Sequence, residues 1–179
     1  MSLTLATLLP GLFLLALGLL FLIDHAAVST SFKRLPRSQS AAVLFFGVGA
    51  AWFLYRIWHL SEADFGQYRT QLFVFFAAVA LAAFRYVPDF LAVRGLAVLV
   101  LLAATPLLHA GYMEYEQPQR LFMVTAVFVA VALAIYLGAS PFRLRDFLDW
   151  LYRRPRRARI LGAGLAAYGL LLSFVAFTY

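Results

Sequence analysis

An all-α membrane protein is the fold this sequence predicts: a bundle of six transmembrane helices, with a short amphipathic helix on the cytoplasmic face before the last span. Six apolar stretches each approach the roughly 20 residues that a bilayer-spanning helix needs. Hydrophobic residues make up 64% of the 179-residue chain and charged residues 13%, against about 25% charged in soluble domains. Twelve of the 15 lysines and arginines fall in alternate connections, the pattern left when basic loops stay in the cytoplasm.

The spans are expected at about residues 3–23, 41–58, 70–87, 95–111, 121–139 and 160–177, which uses most of residues 1–179 as a single helical domain. From Leu12 to Ile23 the first span reads LFLLALGLLFLI. A barrel strand would instead alternate polar and apolar side chains over about 10 residues. This span has no positive flank ahead of it and is longer than the apolar region of a secretory signal, so it is expected to be retained. The connection after it, with Ser29, Thr30 and Ser31, reads as a polar loop.

Short connections make the following helices antiparallel neighbours. Three inner connections also echo one another, as Phe32-Lys33-Arg34-Leu35-Pro36-Arg37, Phe84-Arg85-Tyr86-Val87-Pro88-Asp89 and Tyr152-Arg153-Arg154-Pro155-Arg156. The echo suggests three antiparallel hairpins, although interface aromatics, basic flanks and helix-start prolines are each favoured on their own. Gly47 with Ala51, Gly162 with Ala166, and Ala163 with Ala167 give small faces that let helices approach, within the chain or between two copies.

The fifth connection differs from the others. Ser140 is a capping-type residue and Pro141 suits a first helical position. Phe142, Leu144, Phe147, Leu148, Trp150 and Leu151 then alternate with arginines and aspartates up to Pro155. A helix over about 140–154 is expected to lie on the cytoplasmic leaflet, with Arg143, Arg145, Trp150, Arg153 and Arg154 touching anionic lipid headgroups or a partner.

Charge fixes the expected orientation. Lys33, Arg34 and Arg37, then Arg85 and Arg94, then the seven arginines from Arg143 to Arg159 lie on one side, against Arg56, Arg69 and Arg120 on the other. The richer side is cytoplasmic by the short-loop rule, so both termini face outward across a bacterial inner (plasma) membrane. Tyr55, Trp58, Tyr68, Tyr112, Tyr115 and Tyr179 mark the outer boundary, and Tyr86, Trp150 and Tyr152 the inner one.

The absence of cysteine excludes disulfides, thiolate metal sites and thiol nucleophiles. The net charge of +7 sits beside apolar spans, where lipid headgroups rather than nucleic acid are the nearer anion. Ionisable groups gather at span ends: an inner polar cluster of Asp24, His25, Arg85, Asp89 and Arg94, in which Arg85 and Asp89 have the spacing of a pair, and an outer group. His59, Glu62, His109 and Glu114 in that outer group are weak candidates for a metal, and less so for haem at the rim. No bound cofactor is expected. No nucleophile and base, HExxH pair or glycine-rich phosphate loop occurs, so an enzyme is not the expectation. What remains is a non-catalytic membrane component that docks lipids or membrane protein partners, with a small transporter or channel, acting as a homo-oligomer, as the alternative.

Overall fold

A computed structural model describes residues 1–23 and 25–179; Asp24 lies outside the described residues. Among the described residues there is no strand. The helices are α1 (Leu3–Ile23), α2 (Ala26–Arg34), α3 (Gln39–Trp58), α4 (Arg69–Tyr86), α5 (Leu91–Ala110), α6 (Arg120–Ala139), α7 (Phe142–Tyr152) and α8 (Pro155–Ala176). Short 3-10 turns lie at Leu35–Arg37, Glu62–Asp64 and Gly66–Tyr68. Six of these elements, α1, α3, α4 with its leading turn, α5, α6 and α8, are long and apolar enough to cross a membrane.

The helices extend beyond the apolar runs. α5 begins at Leu91 and α8 at Pro155, so Arg94, Arg156, Arg157 and Arg159 lie inside helices rather than in loops. Proline at the first position of α8 lacks only an N–H that would have no partner there, and Arg154 before it is extended. The polar stretch with Ser29, Thr30 and Ser31 is helical, not a loop. Ser29 Oγ and Thr30 Oγ1 donate to the Ala26 carbonyl at 3.0 and 2.8 Å, absorbing their hydroxyls within α2.

α3 starts on Ser38, whose side chain accepts a hydrogen bond from the Ala41 N–H at 3.2 Å. Removing that acceptor in Ser38→Ala is expected to lower stability by about 1 kcal/mol, with Ser38→Asp retaining it, as read by unfolding in detergent. Equal stability of the two variants would show that the cap is not worth its usual amount.

The chain divides into two compact units. The first comprises 1–33, 103–133 and 145–179. Here α1 and α8 pack along their length, and glycine is the reason they come so close. A Cβ at Gly18 would collide with the Ala166 nitrogen, one at Gly169 with the Leu15 nitrogen, and one at Gly162 would stand 2.7 Å from the Gly18 carbonyl. The partner number on α8 falls as the number on α1 rises, so the two helices are antiparallel. Ala6, Ala104, Met123, Val127 and Leu172 form one core of this unit, and Phe21, Leu151 and Ala158 another, with Phe32 and Tyr152 packed on the second. Thr7 is fully buried beside the seam, and its hydroxyl donates to Tyr179 Oη at 3.3 Å.

The second unit comprises 34–102 and 134–144. Edge-to-face ring pairs join α3 to α4: Trp58 with Phe73, Phe53 with Phe76 and Phe46 with Phe84, at 5.5, 5.1 and 5.3 Å between centroids. Their falling register makes these helices antiparallel, and such geometry favours the positive ring edge over the negative face. A Cβ at Gly95 would collide with the Phe46 nitrogen, so α5 also meets α3 backbone to backbone. Ala42, Leu91 and Ala92 form the core there.

Candidate functional site

The most basic stretch of the chain runs from α7 into α8, with seven of its 15 lysines and arginines between Arg143 and Arg159. The apolar residues of α7 do not share one face, as their grouping in the sequence suggests. Leu148 and Leu151 are 3% and 1% exposed, while Phe147 and Trp150 are 41% and 48% exposed. Leu151 joins the core with Phe21 and Ala158, and Leu148, one turn before it, is buried as well, whereas 147 and 150 occupy the neighbouring strip. Residues 145–152 of α7 are thereby fixed to the first unit by one strip and present aromatic rings with the next.

Those rings are organised. Phe147 and Trp150 stack with centroids 6.0 Å apart and an interplanar angle of 27°. The Arg157 guanidinium lies 4.3 Å above the Trp150 ring, and its Nη1 donates to the Trp150 carbonyl at 3.0 Å. Cation and indole hold each other across Pro155, joining the last turn of α7 to the first of α8. Arg157 was legible only as one basic residue among seven. Its partner lies seven positions back across a proline, a spacing that no single-helix pattern flags. On the same unit, Lys33 Nζ stands 5.9 Å from the Tyr152 ring centroid, bringing α2 to α7.

The other arginines of this segment divide by partner. Arg143 lies 5.4 Å from the Phe142 ring, and Arg145 makes a side-on pair with Asp146 through Nε and Nη2 at 2.9 and 2.7 Å. Arg153, Arg154 and Arg156 are exposed, and none of them makes an ion pair with a described residue. Asp149 is the nearest acidic residue in sequence, and it too is exposed.

The described residues of the inner polar cluster belong to two different units. His25 belongs to the first unit, where its Nδ1 accepts from the Ala27 N–H at 3.2 Å and so caps α2. Arg85, Asp89 and Arg94 belong to the second. Arg85 and Asp89 do not pair, because α4 ends at Tyr86 and Val87 leaves the helix at φ −133° and ψ 49°, which removes the one-turn geometry their spacing requires. Asp89 instead borders an open cleft of about 290 Å3 with Arg37, Ser38 and Phe84. Arg37 lies 5.4 Å from the Phe90 ring.

At the outer candidates, His59 ends α3, donates from Nδ1 to the Tyr55 carbonyl at 2.9 Å, and lies tilted by 38° against the Tyr55 ring with centroids 4.2 Å apart. Glu62 belongs to the same unit, and His109 and Glu114 to the other. Asp64 accepts from Ser61 Oγ at 2.8 Å. Among the described residues, no three histidine, aspartate or glutamate side chains gather to hold a metal ion. Arg120 closes the loop before α6, with Nη1 donating to the Gly111 carbonyl at 3.1 Å and the guanidinium 4.7 Å from the Tyr115 ring.

Compared with protein-family models, with curated proteins and with solved structures, the chain matches none.

Proposed function

We propose that this chain is a non-catalytic integral membrane component, an accessory or scaffold subunit of a bacterial inner membrane with both termini outside the cytoplasm, whose outer helical faces dock lipids and protein partners. The observation that carries this reading is α4. No residue of this 18-residue helix is buried. Its ring pairs hold one strip against α3, while Phe75 is 61% exposed and Leu81 73%. A continuous apolar strip of that kind is a liability in water. In a bilayer it is the ordinary lipid-facing surface, and small or aromatic faces on such a helix are what neighbouring chains pack on. The antiparallel α3–α4 pair supports one hairpin of a three-hairpin arrangement.

The polar groups fit the same reading. The charged side chains cluster toward the helix ends, and the sealed α1–α8 seam carries no charge along it. Purification of the tagged chain from its own membrane in mild detergent, followed by mass spectrometry and an optical spectrum, tests the proposal. Stoichiometric membrane partners with no cofactor absorbance are the expected result. A lone homo-oligomer that carries solute flux in reconstituted vesicles would replace it with a transporter.

A further inference from the structure

We propose that the α7–α8 elbow is a binding surface for the phosphate of an anionic phospholipid, with Arg153, Arg154 and Arg156 as its cations and Trp150 as the ring seated at the acyl boundary beneath them. The proposal deepens the membrane reading above and rests on it. Three features of the elbow carry it together. Its cations are exposed and lack ion-pair partners among the described residues, while nearby Arg145 is committed to Asp146. An exposed indole lies within a few residues of them in sequence, and it is held by a stacked phenyl ring and a guanidinium. The whole assembly also sits at the start of α8, a helix long and apolar enough to cross a membrane, which fixes it near the headgroup level of one leaflet.

The chemistry favours a lipid over a soluble anion. A free phosphate would gain only the three guanidinium groups, whereas a phospholipid adds burial of its acyl chains against Trp150 and Phe147, which are otherwise exposed. Asp146 and Asp149 are the opposing charges on α7. Asp146 is already engaged by Arg145, so Asp149 alone remains to weaken the positive field. Arg157 acts as a positioning residue. It is turned onto Trp150 and fixes the position of that ring within the elbow.

Trp150 itself reports on this surface. In a Trp52→Phe, Trp58→Phe background it is the sole tryptophan, and its emission can be quenched by brominated lipid in reconstituted vesicles. Brominated phosphatidylglycerol at low mole fraction in phosphatidylcholine is expected to quench it with a preference of at least about fivefold over brominated phosphatidylcholine, roughly the worth of one well-placed cation at an anionic surface. R153Q/R154Q/R156Q should bring the ratio close to unity, while R34Q/R85Q, which removes basic charge elsewhere, should preserve it. Equal quenching by the two lipids in the parent protein would overturn the site but leave the membrane reading standing. No quenching by either would overturn the site, because the ring would then lie away from the acyl boundary; failure of the chain to enter the vesicles at all would overturn both. A preference abolished by inorganic phosphate at matched ionic strength would assign the arginines to the soluble ion and overturn the lipid assignment.

Discussion

Gly169→Ala is expected to destabilise the protein by about 2 kcal/mol or more, although alanine is the better helix former by up to ~1 kcal/mol. The sign follows from what the new methyl group meets. At Gly169 it enters the backbone of α1 at Leu15, and at Gly18 it enters the backbone of α8 at Ala166. Neither neighbour is a flexible side chain able to swing aside, so the helices must separate, and contact is lost along the seam. Gly164 and Gly47 provide the control, because a Cβ at either meets nothing within 4 Å. Gly164→Ala should therefore be neutral or stabilising. The measurement is unfolding in detergent followed by far-ultraviolet circular dichroism; a Gly169→Ala protein as stable as Gly164→Ala would show that the α1–α8 contact is looser than described. The double variant Gly18→Ala, Gly169→Ala should cost less than the sum of the single ones, since the first methyl already opens the space the second would occupy.

Much of the helical frame was legible because apolar runs bounded by charge and proline are strong local signals. α1 was placed at residues 3–23 and found at Leu3–Ile23. Helix ends were less legible. Arg156, Arg157 and Arg159 interrupt hydropathy without interrupting the helix, since arginine is itself a good helix former. α2 was missed for a different reason: Ser29, Thr30 and Ser31 are poor interior helix formers, but the hydroxyls of Ser29 and Thr30 bond back to the preceding turn and Phe32 anchors the helix against Phe21 at 5.1 Å. Gly162 and Ala166 were readable as a close-packing face, but their partner on α1 was not. Gly11 and Gly18 sit among leucines, and the match emerges only when the first and last helices are set antiparallel. At the elbow, composition marks Trp150, Arg153 and Arg154 as an aromatic among cations. It does not mark the split of α7 into a buried strip and a presented strip, because leucine and phenylalanine count alike in an apolar pattern.

Single-cysteine labelling should give an all-or-none answer on orientation. The chain has no cysteine of its own, so each introduced thiol is the sole target. In the proposed orientation, Ser2→Cys and Gln117→Cys react with a membrane-impermeant maleimide added outside intact cells. Ser31→Cys and Ser140→Cys react only after permeabilisation. The reverse pattern would mean that the basic connections face outward and would move the α7–α8 elbow to the opposite leaflet. Orientation is a property of the summed bias, and this makes it robust to the substitutions the lipid experiment needs. The basic residues stand twelve against three, and removing Arg153, Arg154 and Arg156 leaves nine against three. The same four thiols in the R153Q/R154Q/R156Q background should therefore keep their labelling, since the remaining bias still holds those connections inside. A loss of lipid preference in that background then reports on the headgroup contacts themselves rather than on an inverted helix.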